Sequence, residues 1–391
     1  METRTLLTVT TSPHIREGSR THLIMWFVSL ALLPAALWGA VVFGWYSVWV
    51  LVTSIFSAVL AELAITALKG KITVPDGSAF LTGFLIGMNM PPSIPIYIPV
   101  CASVFAIAIV KQAFGGLGSN WMNPALAGRV FAMFSWSKSM TIWNMPSTLT
   151  GNSAVTQASG TAGDAITGAS PLGIVKSGLL DMSVQADSPQ ALASQLQNIG
   201  GPLQFMLQKG YPVSQFDSNV TEWLNSVFHL GLSRGYVDLF FGNVAGCIGE
   251  ISVFMLLIGA IFLFAKKIIS WEIPASFLGS FALLVWIFGG TKFAMGMFTG
   301  DVLFHLLTGG LMLGVFFMAT DYVTTPVTRK GMLIFGAGAG FLTFLIRLYG
   351  GLPEGVSLAI IIMNMFVPLI DKLTKPKVFG TRKAMKKGSA A

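Results

Sequence analysis

Apolar residues run along this chain in long blocks, separated by short breaks rich in charge, glycine or proline. Ten blocks stand out, at 23–43, 47–68, 78–90, 94–110, 125–143, 246–265, 273–289, 302–319, 331–348 and 356–370. A helix needs about 20 apolar residues to cross the hydrocarbon of a bilayer. The pattern therefore predicts an all-α polytopic membrane protein with about ten transmembrane helices. Some blocks are short for a full crossing. The third ends in Asn89-Met90-Pro91-Pro92, and the fifth follows glycine-rich backbone. Interrupted segments of this kind predict broken helices that line a site. Between 144 and 245 the pattern changes to Ser, Gly, Thr and Gln, with amphipathic stretches at 190–197 and 220–230 suited to a membrane surface or a partner. The chain thus divides into a leader (1–22), a first membrane repeat (23–143), a long hydrophilic loop (144–245), a second membrane repeat (246–371) and a basic tail (372–391).

The word repeat rests on two short matches. Phe80-Leu81-Thr82-Gly83 resembles Leu306-Leu307-Thr308-Gly309, and Gly115-Gly116-Leu117 is repeated as Gly350-Gly351-Leu352, in the same order relative to the spans. Five spans per half is an odd number, so the second copy is expected to be inverted in the membrane, giving two inverted five-helix repeats.

Composition supports the membrane assignment. Only 10% of residues are charged and 53% are hydrophobic, with a mean hydropathy of +0.72, against about 25% charge in soluble domains. The net charge of +8 does not indicate nucleic acid, because the basic residues sit at span ends and in the tail rather than on one face. With both termini cytoplasmic, the inner ends carry Arg16, Arg20, Lys69, Lys111, Lys266 and Arg329, whereas the outer connections hold few, such as Lys292 and Arg347. The loop at 144–245 is then extracytoplasmic, and the membrane is a bacterial or archaeal cytoplasmic (inner) membrane. No small-x-small site follows the first apolar block, so no cleavable signal is expected. Cys101 and Cys247 fall in apolar surroundings and read as small core residues, since two thiols do not hold an iron–sulfur cluster alone.

The residues that offer chemistry are few. Asp164-Ala165-Ile166-Thr167-Gly168-Ala169-Ser170 presents hydroxyls on a backbone whose Gly168 and Ala169 leave room for a bulky phosphate. The block from Gly115 to Ala125 sets three glycines before Asn120 and Asn123, whose amides match the edge of an isoalloxazine ring. Pro124 equally makes Asn123 a helix N-cap. Arg129 follows, and an arginine at a span's centre costs about 2.5–3.5 kcal/mol. It needs a carboxylate or a flavin oxygen as partner, or it snorkels to the interface. Glu62, Glu250 and Asp301 lie in or beside spans, and Asp321 lies in the hydroxyl-rich exit at 318–328. Each is an ion or proton station, or a carboxylate buried against Arg129 or polar backbone. His305 reads as a packed, hydrogen-bonded histidine. No metal site, dinucleotide fingerprint or catalytic residue is assigned, and no complete active site is expected in this chain alone.

Six blocks occur in a telling order: Ser12-Pro13-His14-Ile15-Arg16, Gly115–Ala125 with Gly128-Arg129-Val130-Phe131, Asp164–Leu172, Phe317–Asp321 with Thr325-Pro326-Val327-Thr328, Tyr349–Val356, and Val367–Asp371. On these, the whole chain resembles the D subunits of Rnf-type ferredoxin:NAD+ oxidoreductase complexes. It is more distantly similar to the B subunits of Na+-translocating NADH:quinone reductases, which carry a longer leader. The resemblance implies a flavoprotein subunit of a redox-driven, ion-translocating complex. It implies covalent FMN, held as a phosphoester on the last residue of an Asp-x-x-Ser/Thr-Gly-Ala-Thr motif. Here that residue is Ser170 rather than threonine, and its hydroxyl makes the same ester. Asp164, Thr167, Gly168 and Ala169 then serve recognition by a flavin transferase. Non-covalent riboflavin near Asn120 and Asn123 is also implied, as are Na+ or H+ translocation and the other membrane and peripheral subunits as partners. The residues by themselves also admit a cofactor-free channel or transporter, where inverted repeats are equally at home, or a scaffold for partner subunits.

Overall fold

Helices form where the apolar blocks allow a full hydrogen-bonded ladder, and they stop where glycine or proline removes it. The computed structural model describes residues 20–70, 73–146, 149, 167–168, 170–185, 188–352 and 354–376. Asp164, Ala169, most of the leader and most of the tail lie outside the described residues. Helices α1 (Thr21–Phe43) and α2 (Trp45–Leu68) are joined by Gly44 alone, at φ +84°. α3 (Ser78–Met88) ends at Asn89, because Pro91 and Pro92 cannot continue the ladder. α4 (Tyr97–Phe105) runs on through π-type turns over Ala106–Gln112, and α5 (Pro124–Ser135) opens on its proline.

Two-residue strands β1 (Trp143–Asn144) and β2 (Thr167–Gly168) pair antiparallel. Then come α6 (Pro171–Gln185), α7 (Pro189–Ile199), α8 (Pro202–Gln208), α9 (Gln215–Phe228) and α10 (Tyr236–Phe241). The hydrophilic loop is therefore largely helical from 171 to 241, with its two amphipathic stretches in α7 and α9. The second half contains α11 (Val253–Ala265), α12 (Glu272–Phe288, with a 3-10 turn to Phe293), α13 (Val302–Leu307), α14 (Leu311–Leu313, continued by π-type turns to Met318), α15 (Arg329–Leu348) and α16 (Val356–Leu373).

Five of these helices, α1, α2, α12, α15 and α16, are long and apolar enough to cross a membrane; α3, α4 with its π turns, and α11 are shorter apolar helices. Large apolar side chains such as Leu37, Phe56, Ile261 and Leu283 face outward, as a lipid solvent permits. The protein is a multi-pass helical membrane protein.

Between helices the seams use small residues, because lipid gives apolar side chains no reason to leave it and only close backbone approach is gained. A Cβ on Gly83 of α3 would stand 2.7 Å from the Ile55 Cα of α2. One on Gly336 of α15 would stand 2.7 Å from the Ile273 carbonyl of α12. α1 packs on α11, and α5 on α16.

Several expectations change. The block at 125–143 breaks at Trp136 (φ −131°, ψ 51°), which separates α5 from a single helical turn at Ser137–Met140. The block at 246–265 becomes helical only at Val253, because the preceding residues bond to the broken end of α3: Gly249 N–H donates to the Met88 carbonyl (2.8 Å) and Ile248 N–H to that of Met90 (3.1 Å). The block at 302–319 breaks at Thr308–Gly310, where Gly309 and Gly310 adopt φ +69° and +63°. Cys101 is exposed on an outward face, while Cys247 is buried. Arg347 is buried at the end of α15 rather than placed in an open connection.

Candidate functional site

The interior holds three polar constellations. At the centre stands Arg129, projected from α5 and 6% exposed. One guanidinium nitrogen donates to Asn89 Oδ1 (2.6 Å) and faces Glu250 Oε2 at 3.5 Å; the other pairs with Glu354. The Cys247 thiol donates to the Asn89 carbonyl (3.2 Å) and lies 3.8 Å from Arg129. The cation and Asn89 come from the first half of the chain and both carboxylates from the second. Buried charges persist only when paired and hydrogen-bonded, and this group meets both conditions. Glu250 thus partners Arg129, but Glu354, Asn89 and Cys247 were missed as site residues. The available signal for Glu354 was a carboxylate inside the second glycine block.

Beside this cluster lies Ser170. Its Oγ accepts from Gly173 N–H (3.2 Å), capping α6, and the residue is 4% exposed. Ser170, Glu250, Glu354, Thr308 and Gly309 line one small cleft. Thr167 and Gly168 enter the same neighbourhood through β2, paired with Asn144 and Trp143. Arg347 closes the other side, donating to the carbonyls of His305 (2.5 Å), Thr308 (3.2 Å) and Gly309 (2.9 Å). It satisfies the carbonyls that the break between α13 and α14 leaves open. Lys176 of α6 donates to the Leu352 carbonyl (2.6 Å) and the Arg347 carbonyl (3.2 Å). That bond ties α6 to the loop carrying Glu354. Burial lowers the Lys176 ammonium to about 8, with Arg347 and Lys292 adding to the shift.

At the opposite end a second cleft is lined by Ser78, Lys111, Asn120, Asn123 and Asp321, with Phe316 and Phe317 beside them. Asn123 is committed to structure. Its Oδ1 caps α5 through Ala125 and Leu126 N–H (2.9 and 3.3 Å), and its amide donates to the Met318 carbonyl (3.2 Å). Asn120 differs, because its buried Oδ1 has no hydrogen-bond partner among the described residues. Asp321 accepts locally from Val323 N–H (3.5 Å) and Thr324 Oγ1 (3.2 Å).

Glu62 adjoins the second cleft through Lys111, one of its lining residues. It pairs with Lys111 at 2.6 Å, both side chains at most 2% exposed, and accepts from Thr73 Oγ1 at 2.7 Å; Lys111 also donates to Ser78 Oγ (2.5 Å). Asp301 stands apart, capping α13 through Phe304 N–H (2.9 Å) and accepting from the Tyr236 hydroxyl (2.7 Å). His305 is packed against Phe304, but its buried Nδ1 has no hydrogen-bond partner among the described residues.

The sequence pattern described as the NQR2, RnfD, RnfE family matches residues 8–380. The chain belongs to that family. Among its relatives, the Clostridium ljungdahlii protein named as the D subunit of a proton-translocating ferredoxin:NAD(+) oxidoreductase complex is 42% identical over 97% of this chain and 98% of its own. The Acetobacterium woodii protein named as the D subunit of a Na(+)-translocating ferredoxin:NAD(+) oxidoreductase complex is 38% identical over 98% of each chain. The D subunit of the Escherichia fergusonii ion-translocating oxidoreductase complex is 34% identical over 96% of this chain and 99% of its own. These matches span nearly the whole chain.

Proposed function

We infer that this protein is the D subunit of an ion-translocating ferredoxin:NAD+ oxidoreductase complex and carries electrons on flavin within the membrane. The observation that carries the reading is the position of Ser170. The last hydroxyl of the family's attachment motif stands at the start of α6 and opens on the cleft lined by Glu250 and Glu354, the two carboxylates that face Arg129.

Ser170 and its surroundings fit a phosphoester. Oγ is the ester oxygen, it already accepts from Gly173 N–H, and the N-terminus of α6 places the positive end of its helix dipole beside a phosphate. Lys176 and Arg347 contribute positive charge on the same side, while Arg129 offsets Glu250 and Glu354. The inner cleft fits a second, non-covalent flavin, riboflavin, by donor chemistry: Asn120 Oδ1 needs a ring N–H. Its free space is only about 80 Å³, below the few hundred Å³ of ordinary ligand sites. Uptake therefore requires this cleft to widen. When bound, a flavin takes up and releases electrons with protons. The chain's own residues orient it, exclude water and hold compensating charge.

The fold supports ten crossings in two inverted halves. In each half the third element is broken, α3 at Asn89 and α13–α14 at Thr308–Gly310, and the halves meet through α1–α11 and α5–α16. Positive-inside bias then puts both termini in the cytoplasm of an inner-membrane protein and the helical loop outside. The partners are the other membrane and peripheral subunits of the complex, with a flavin transferase for attachment. Intact-mass analysis of protein produced with an active flavin transferase tests the reading. The expected increment is one FMN less water, absent from Ser170→Ala. Unmodified wild-type protein would remove the covalent carrier.

A further inference from the structure

A separate cavity, of about 530 Å³ and roomier than the inner flavin cleft, lies between the ends of α11, α12 and α15. Glu272 lines it from the first turn of α12. Its side chain is 6% exposed; one oxygen lies 3.5 Å from Arg329 Nε, and the other is buried with no hydrogen-bond partner among the described residues. Arg329 itself is 88% exposed at its side chain, so it does not seal this carboxylate. Thr320 and Thr325 also line the cavity. Their hydroxyls have already donated to the carbonyls of Phe316 and Asp321, each at 2.8 Å, and present their oxygens as acceptors. Lys267, exposed and held at φ +56°, adds a second cation. The remaining wall is apolar, including Phe264, Ile268 and Met332, and Trp271 is 63% exposed at the rim, as aromatic residues at a membrane interface are.

We propose that this cavity binds the headgroup of a zwitterionic aminophospholipid, such as phosphatidylethanolamine. Its primary ammonium, with three N–H donors, meets Glu272 and the hydroxyl oxygens of Thr320 and Thr325. Its phosphate lies against Lys267 and Arg329, and its acyl chains follow the apolar wall into the bilayer. The charge pattern selects this class. A bare cation satisfies Glu272 but leaves Lys267 and Arg329 opposing it, and an anionic headgroup satisfies the two cations but leaves Glu272 unpaired. A quaternary choline headgroup has the right charges but no N–H for the acceptors.

Native mass spectrometry of the detergent-purified complex tests this, using defined phosphatidylethanolamine, phosphatidylcholine and phosphatidylglycerol. Wild type is expected to retain phosphatidylethanolamine about tenfold more strongly than phosphatidylcholine, the scale of one charge-assisted hydrogen bond. Glu272→Gln is expected to abolish that preference, and Arg329→Ala to weaken phosphatidylethanolamine and phosphatidylglycerol alike. Met332→Trp, which fills the cavity without touching a charge, is expected to expel the lipid if Glu272→Gln fails to fold. Equal retention of the three lipids, or preference unchanged in both Glu272→Gln and Met332→Trp, would overturn the proposal. So would a crosslink from position 271 to a partner protein that occupies the cavity, or sodium-dependent stabilisation that vanishes in Glu272→Gln without any bound lipid.

Discussion

Removing Lys111 tests the energetics of the buried interior most directly. Lys111 Nζ makes two close contacts, to Glu62 (2.6 Å) and Ser78 (2.5 Å), and neither charged side chain is more than 2% exposed. Among the described residues, Lys111→Met leaves the Glu62 carboxylate with only neutral donors, Thr73 at 2.7 Å and Gln112 at 3.4 Å. Glu62→Gln leaves the ammonium with Ser78 as its one remaining short contact. Breaking a buried pair from either side typically costs about 3–5 kcal/mol, whereas removing both charges is often close to neutral. Each single variant should therefore lose about 3–5 kcal/mol, and the double variant less than about 2 kcal/mol. The cycle then gives a coupling of at least about 4 kcal/mol. The assay is reversible denaturant unfolding in mixed micelles for the four proteins of the cycle. If the double variant lost as much as the two singles together, the pair would not be an interacting unit, and the buried-charge argument would fail.

Three further outcomes follow from the geometry. Lys176 lies outside the spans with its pKa lowered to about 8, so between about 8 and its ordinary value near 10.4 the unfolded chain binds the extra proton. Wild-type stability should rise with pH across that window and stay flat below it, relative to Lys176→Met; equal pH slopes in thermal melts of the two proteins would refute the assignment. Gly83→Ala forces a methyl to 2.7 Å from Ile55 Cα and should cost about 1–3 kcal/mol by overpacking, measured by the same unfolding assay. Asn120→Ala should cut co-purifying riboflavin about tenfold, the equivalent of one hydrogen bond, with little change in stability, whereas Asn123→Ala should lose about 0.5–2 kcal/mol as a lost cap. Chromatographic flavin content beside melting curves separates those two roles.

Much of the membrane architecture was legible because lipid permits few backbone solutions, and apolar length reports directly on them. The end of α3 was legible as well, since Pro91-Pro92 interrupts the pattern visibly, whereas the break at Thr308–Gly310 was not. What the pattern does not carry is partner choice. Glu62, Glu250 and Asp301 look alike as isolated carboxylates near spans, yet one pairs with Lys111, one with Arg129, and one caps α13. Those partners lie 49 residues away for Glu62 and 121 for Glu250, distances that only the three-dimensional path of the chain resolves. Glu354 was hidden for a related reason: the second glycine block displays a carboxylate, but not that it faces Arg129. The extent of helix 246–265 was misjudged because its first residues bond to the end of α3, a tertiary contact with no local signature.

The placement of α5 gives the flavin reading its physical unity. Asn123 caps this helix at the inner cleft and bonds to the Met318 carbonyl, and Arg129, six residues later, binds Glu354 and faces Glu250 beside Ser170. At 1.5 Å rise per residue these two groups are separated by about 9 Å along one rigid element. A change at the inner cleft that shifts the cap must therefore move the guanidinium that balances two buried carboxylates, because nothing flexible lies between them. Those carboxylates tolerate little displacement, since losing their counter-charge inside the bundle costs several kcal/mol. On the proposed reading, the charge at one flavin site and the geometry at the other are linked through a single helix.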